Sequence, residues 1–394
     1  MSTLPDFRSS SFLRGHVRDT MAFYHPHCLD PAGGCFHYFR NDGTIYNRSH
    51  RHLVSSTRFV FDYAMYFRHF GGQEYLDATR HCVHFVHDAH HSPVTGGYAW
   101  TLRDGQPNDT TNHCYGVAFV LIAYANALRA GITEAAAWMD ATWDLLERRY
   151  WDMAFGLYRD EANADWRFSD YRGQNANMHM CEAMLSAFDA SGQRRYLDRA
   201  ITLADHMTRR QAAKAGGLVW EHYDKHWEID WDYHRDHPKD LFKPWGFQPG
   251  HQTEWAKLLL IIARHRHADW LLPTALHLFD AALAHAWDNE YGGICYGVSP
   301  DGSICDDDKY HWVQAESLAS AALLAQCTGE DKYWQWYQRL WEYVWSCFVD
   351  HEHGGWYRIL TRDGRQYNDE KSPASKTDYH NMGACYEALN AVGE

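Results

Sequence analysis

The sequence predicts an all-α fold, an (α/α)6 barrel of inner and outer helices with short β-hairpins at one end. Three observations predict it. A glycine-led element recurs six times at near-constant spacing, each copy precedes a helical stretch apolar on most faces, and no Pro/Ser/Gly linker or composition break separates the copies. The glycines Gly34, Gly97, Gly156, Gly217, Gly293 and Gly355 lie 63, 59, 61, 76 and 62 residues apart, and periods of this order mark stacked repeats. The whole chain, 1–394, is therefore expected to be one domain.

The first copy, AGGCFHYFRNDG at 32–43, carries alternating aromatic and polar residues before Asp-Gly, the pattern of a hairpin with a tight turn. TRFVFDYAMYFRHF follows as an inner helix and YLDATRHCVHFVHDAH as an amphipathic outer one, since a helix apolar all round is buried and an amphipathic one meets solvent. The second copy, TGGYAWTLRDGQ at 95–106, leads to YGVAFVLIAYANALRA and AAAWMDATWDLLERRY. The third, FGLYRDE at 155–161, leads to MHMCEAMLSAFDAS and RRYLDRAITLADHMTRR. The fourth, AGGLVWEHYD at 215–224, reaches its inner helix TEWAKLLLIIARHR only after EHYDKHWEIDWDYHRDHPKDLFKPWG, about fifteen extra residues. Loops that long in a compact domain are usually functional. The fifth, YGGICYGVSPDG at 291–302, leads to AESLASAALLAQ and YWQWYQRLWEYVWSCFV. The sixth, HGGWYRILTRDG at 353–364, ends with the inner-type helix MGACYEALNAV, so ring closure requires FLRGHVRDTMAFYHPHCL near the N-terminus to supply the last outer helix. An open solenoid is the alternative, and it would need capping repeats.

A formal charge of −14 argues against a nucleic-acid partner. No window approaches the 18 apolar residues of a membrane helix, and the first residues hold no apolar run of signal-peptide length. Ten cysteines without a CxxC pair, several beside apolar residues as Cys82, Cys181 and Cys347 are, suit reduced, buried thiols. These features together suggest a cytoplasmic protein. Eighteen Trp and 25 Tyr hint at carbohydrate, because sugars present apolar C–H faces and polar rims.

In a closed ring the inner helices run parallel and their N-termini gather at one end. The residues there are Arg58, then His113 and Tyr115, then Asn177, His179 and Glu182, then His251 and Glu254, then Trp312, Gln314 and Glu316, and finally His380. Ionisable groups at equivalent points of six repeats indicate a functional cavity, where helix N-termini favour negative charge developing on a bound oxygen. The HxxE pairs His179/Glu182 and His251/Glu254 leave a divalent metal open, although HExxH and EF-hand spacings are absent. HDAHH at 87–91 reads as solvated surface. Phosphate-binding glycine loops and a GxSxG elbow are missing. Glu182, Glu254 and Glu316 keep glycoside hydrolysis open, while histidine favours moving protons near neutral pH.

The stretches NANMHMCEAMLSAFD, FKPWGFQPGHQTEWAKLLL, KYHWVQAESLASA and KTDYHNMGACYEALN closely resemble motifs of the N-acylglucosamine 2-epimerase superfamily, best its branch of mannose isomerases and related aldose–ketose isomerases. That resemblance covers essentially the whole chain. It implies an (α/α)6 barrel, no required metal or other cofactor, a monosaccharide as the binding partner, and interconversion of D-mannose with D-fructose, often with D-lyxose and D-xylulose as a second pair. It makes His251 and His380 the acid/base pair, and His179 and Glu254 groups that bind sugar or orient a histidine. Arg58, Tyr115 and Trp312 match sugar-facing positions, and Lys243 stands before PWGF where members of the branch often carry arginine.

On this reading His380 moves the proton from C2 to C1 on one face of a cis-enediol. His251, tuned by Glu254, opens the ring and shuttles protons between the oxygens, while Arg58 and His179 stabilise the oxyanion. Reprotonating the other face of C2 would give a 2-epimerase of the mannose/glucose or cellobiose type. A glycoside hydrolase or a non-catalytic sugar-binding barrel remains the alternative of another class, and sequence leaves open a homodimer and the behaviour of the loop at 221–246.

Overall fold

A computed structural model describes residues 4–393. The inner helices are α2 (Leu53–Phe70), α4 (Cys114–Arg129), α6 (Gln174–Ser191), α8 (Pro249–His265), α10 (His311–Thr328) and α12 (Tyr379–Val392). Each packs on the next and α12 returns to α2, which closes the ring. Around them lie α1 (Ser10–Tyr24), α3 (Gln73–Phe85), α5 (Ala135–Leu145), α7 (Arg194–Asp205), α9 (Leu271–Ala286) and α11 (Asp331–Cys347). Helix α1 packs against α12, so the N-terminal segment supplies the last outer helix, and the fold is the expected (α/α)6 barrel. The core follows the helix patterns: almost every residue of α4 is buried, whereas α7 buries one stripe through Tyr196, Leu197, Ala200, Leu203 and Ala204.

The recurring glycines have a packing cause. A Cβ on Gly34 would lie 2.6 Å from the Phe85 ring, one on Gly217 2.8 Å from His277, and one on Gly293 2.3 Å from Tyr343. In each of these copies the outer helix that follows lays an aromatic ring over bare backbone, a fit only glycine permits.

The strands correct one part of the expectation. After the glycine, two-stranded hairpins form in the first, second and fifth copies, whereas the third, fourth and sixth close that turn with single bridges at Ala162–Phe168, Tyr223–Ile229 and Leu360–Gln366; the third copy instead has a hairpin about Gly156, pairing 151–152 with 157–158. More of the pairing runs between repeats. The strand entering each inner helix pairs with the glycine element of the next repeat: 50–52 with 101–103, 112–113 with 161–162, 172–173 with 222–223, and 309–310 with 359–360. Phe247 bridges Val298 in the same manner, and 370–372 returns to 38–40, so the strands close the ring as the helices do.

Cysteines 28, 35, 82, 114, 181, 295 and 385 are buried free thiols, Cys82 and Cys181 among them as expected, while Cys305 is half-buried, Cys327 is exposed, and Cys347, expected to be buried, is only half-buried. No helix among the described residues is long and apolar enough to cross a membrane. Within the HDAHH stretch His90 is buried rather than solvated: its ring nitrogens meet Ser56 Oγ and the Ala99 carbonyl, both at 2.9 Å.

Burial lowers the pKa of His90 from 6.5 to about 4, as it does for His16, while His52 falls to about 3. A base with a depressed folded pKa is protonated first in the unfolded chain. Stability is therefore expected to fall as pH drops from about 6.5 towards 4, by up to about 2 kcal/mol per histidine at pH 5. Thermal melts between pH 5 and 8 check this, and a midpoint that stays level below pH 6.5 contradicts it.

Candidate active site

The N-terminal ends of the inner helices surround a cavity of about 330 Å³. Arg58, His113, Tyr115, His179, Lys243, His251, Glu254, Trp312 and His380 line it, together with Leu241, Phe242 and Pro244 of the long loop. Glu182 and Glu316 lie one layer behind, on the nitrogens of lining histidines.

The backbone prepares each position. Pro249 opens α8, where a missing N–H removes no helix bond. At Gly250 an added Cβ would fall 2.6 Å from the Trp312 ring, so this glycine lets Trp312 reach the cavity. Trp312 lies 4.9 Å from the His251 ring and 5.9 Å from that of His380, a flat wall touching both.

His380 Nδ1 lies 2.7 Å from Glu316 Oε1, so it carries the hydrogen and donates. Its Nε2 is left as a lone pair and accepts from Arg58 Nη2 at 3.1 Å. Burial, then the Arg58 charge, hold its pKa well below 6.5, which keeps the imidazole in the basic form. Arg58 also donates to the Ser375 carbonyl and to Tyr115 Oη at 3.4 Å, with its guanidinium 4.5 Å above the Phe119 ring.

The structure corrects the partner of His251. Its Nδ1 lies 3.0 Å from both oxygens of Glu221, a residue of the fourth copy that sequence reasoning did not select. Gln174 Nε2 is 2.9 Å from the same nitrogen and 3.0 Å from Glu221 Oε2; because Nδ1–H already donates, the amide hydrogen goes to the carboxylate. Glu254, expected to tune His251, meets His179 instead: its Oε1 is 3.7 Å from His179 Nδ1, and neither oxygen has a hydrogen-bond partner among the described residues. Burial, then the neighbouring Glu316, push its pKa well above 4.5. His179 Nδ1 is held by Glu182 at 3.0 Å, and Glu182 accepts from Tyr379 Oη at 2.7 Å.

Beneath the cavity sits Lys257, which sequence reasoning also missed. Its ammonium bonds Glu316 and lies 3.8 Å from Glu182 and 3.9 Å from Glu254. Burial opposes this charge, and the three carboxylates outweigh it and raise the lysine pKa. Burial likewise opposes the charge on Glu182, which Lys257 and His179 hold below the usual carboxylate range. The sets His179/Glu182/Glu254 and Glu254/Glu316/His380 have metal-ligand spacing, and in both an ammonium already meets the carboxylates.

Asn177 and Gln314 are not brought to the cavity. Asn177 bonds the Tyr158 N–H and carbonyl at 2.8 and 3.0 Å, and Gln314 does the same to Ile294 at 3.0 and 2.9 Å. Gln252 pins Val219 identically, at 2.9 Å in both directions. These amides fasten inner helices to the glycine elements. At the mouth Lys243 is 3.3 Å from Glu161 and 4.1 Å above the Tyr171 ring, and His113 is 3.6 Å from Glu161. Glu161 reaches the cavity from a strand, and Trp100 and Tyr171 from the residues just before strands, which no helical periodicity could reveal.

The arrangement supplies two imidazoles, each tied through Nδ1 to a buried carboxylate that fixes its tautomer, with the other nitrogen available for proton transfer. The family profile of N-acylglucosamine 2-epimerase (GlcNAc 2-epimerase) matches residues 34–384. A D-mannose isomerase from Marinomonas mediterranea is 52% identical over 390 residues, 98% of this chain and 99% of that protein. The crystal structure of a D-mannose isomerase superposes with a TM-score of 0.97 at 52% identity, over 98% of this chain and 100% of the other. The cellobiose 2-epimerase from Bacillus thermoamylovorans, at 19% identity, shares the fold with a TM-score of 0.86 over 97% and 100% of the two chains.

Proposed function

The chain belongs to the N-acylglucosamine 2-epimerase family, and on that premise we propose that it is a sugar isomerase interconverting D-mannose and D-fructose, with D-lyxose and D-xylulose as a second pair. The observation that carries this reading is the 52% identity to a D-mannose isomerase along the full chain. The paired imidazoles support the proton chemistry.

The open-chain aldose must lose its C2 proton, which the adjacent carbonyl makes only weakly acidic, and regain a proton at C1. His380 Nε2 takes the C2 proton, and the electron pair moves to O1. Arg58, which donates to the same nitrogen, stabilises the negative oxygen, while His179, whose Nδ1 hydrogen goes to Glu182, presents an acceptor at Nε2 and receives a sugar hydroxyl instead. His251 Nε2, left as a lone pair because Nδ1–H donates to Glu221, accepts the O2 proton and delivers it to O1, and His380 returns its proton to C1 on the same face of the cis-enediol. Ring opening before this step uses the same His251 nitrogen.

The mechanism requires no metal or other cofactor. In support, Lys257 and Arg58 supply positive charge at the carboxylates and at the developing oxyanion. Glycoside hydrolysis is less well supported, because Glu182, Glu254 and Glu316 converge on Lys257 instead of facing each other across the cavity. The buried free thiols fit a reducing, cytoplasmic setting in carbohydrate metabolism.

The test is an NMR spectrum of D-mannose with the protein and EDTA in D2O. Fructose is the expected product, with deuterium at C1 in the fraction of turnovers in which the proton on His380 exchanges with solvent before it is returned. Glucose deuterated at C2 without fructose would make the protein an epimerase, and turnover restored only by divalent ions would overturn the metal-free mechanism.

A further inference from the structure

Five histidines line the cavity, and four of them have Nδ1 on or near a glutamate: His113, His179, His251 and His380. His311, the first residue of α10, differs. Its Nδ1 lies 3.1 Å from the Arg358 carbonyl, which also accepts the His311 backbone N–H at 3.0 Å. A carbonyl cannot donate, so Nδ1 carries the hydrogen and Nε2 is a lone pair. His311 is 5% exposed, and Nε2 has no hydrogen-bond partner among the described residues.

We propose that His311 Nε2 accepts a hydrogen bond from a sugar hydroxyl and thereby selects among monosaccharides; this rests on the cavity being a sugar site. An orphaned buried acceptor is unfavourable unless a ligand or solvent group donates to it. Without a carboxylate to stabilise an imidazolium, this ring is built to receive a hydrogen bond rather than to shuttle a proton. Burial, then the ammonium of Lys376 and the neighbouring His380, hold its pKa well below 6.5 and preserve the lone pair. Its ring stands 6.2 Å from that of His380, so the hydroxyl it meets belongs to the sugar handled by His380. A site with a fixed acceptor should discriminate strongly against a substrate lacking the matching donor.

The experiment compares kcat/KM for D-mannose and its 3-, 4- and 6-deoxy analogues in the wild type and in His311→Phe. The wild type should penalise one analogue by about tenfold or more relative to the others. That penalty should collapse to within about threefold in His311→Phe, while the penalties for the other two positions persist. Penalties unchanged in the variant, or losses equal for every sugar, overturn the proposal. Because each penalty is a ratio within one preparation, a lower folded fraction cancels, and His311→Ala provides the same comparison with a smaller side chain. Wild-type protein that turns over no mannose would instead refute the isomerase reading itself.

Discussion

His380→Ala lowers kcat for D-mannose by about 10²- to 10⁴-fold, the range expected when a positioned base is removed from a proton transfer. His380 has the geometry for a large loss: its Nε2 is a neutral lone pair whose tautomer is fixed by Glu316 at 2.7 Å and whose orientation is fixed by Arg58 at 3.1 Å. Exchange of the C2 hydrogen into D2O should disappear with turnover in this variant. His251→Ala is expected to lose fructose formation and C2 exchange together, since His251 is assigned both to ring opening and to the oxygens. Near-wild-type turnover in His380→Ala, with its melting temperature retained, would remove His380 from the mechanism.

The second large effect falls on Lys257, which contributes an ammonium beside three buried carboxylates. Lys257→Met removes the charge and leaves a chain of similar length. Breaking a buried ion pair by deleting one partner costs about 3–5 kcal/mol, because the remaining charge stays buried without compensation. Denaturant melts at pH 7.5 should report a loss of that size. Glu316 would then favour its protonated form and stop accepting from His380 Nδ1, so kcat should fall as well. The sign of the pH dependence follows from linkage. Carboxyl groups whose folded pKa is raised by the substitution contribute stability that is present at low pH and lost as pH rises through the raised value, so the gap to wild type should narrow on acidification. A stability difference independent of pH would show that the lysine acts through packing alone.

Much of the fold was legible because its causes are local. The six glycines recur because the ring of an outer helix covers backbone at Gly34, Gly217 and Gly293, and the inner helices read as apolar because they are enclosed on all sides. Part of the site was legible for the same reason: Arg58, His179, His251, Trp312 and His380 stand at equivalent turns and line one cavity. Asn177 and Gln314 were misassigned although helix geometry separates them. Each lies two residues before a site glutamate or histidine, as 177 does before 179 and 314 before 316, and residues two apart point to opposite sides of a helix. Asn177 and Gln314 accordingly meet Tyr158 and Ile294 of the glycine elements.

By itself, the sequence determined the repeat, the alternation of inner and outer helices, the end of the barrel where chemistry gathers, and the family. Only the tertiary structure decided which carboxylate serves which imidazole. His251 and Glu254 share a helix face, yet His251 bonds Glu221, 30 positions away, and His380 bonds Glu316 and Arg58, 64 and 322 positions away. Periodicity fixes the direction of a side chain relative to its own helix axis; its partner depends on how neighbouring elements are turned and spaced, and that is set by the packing of the closed ring.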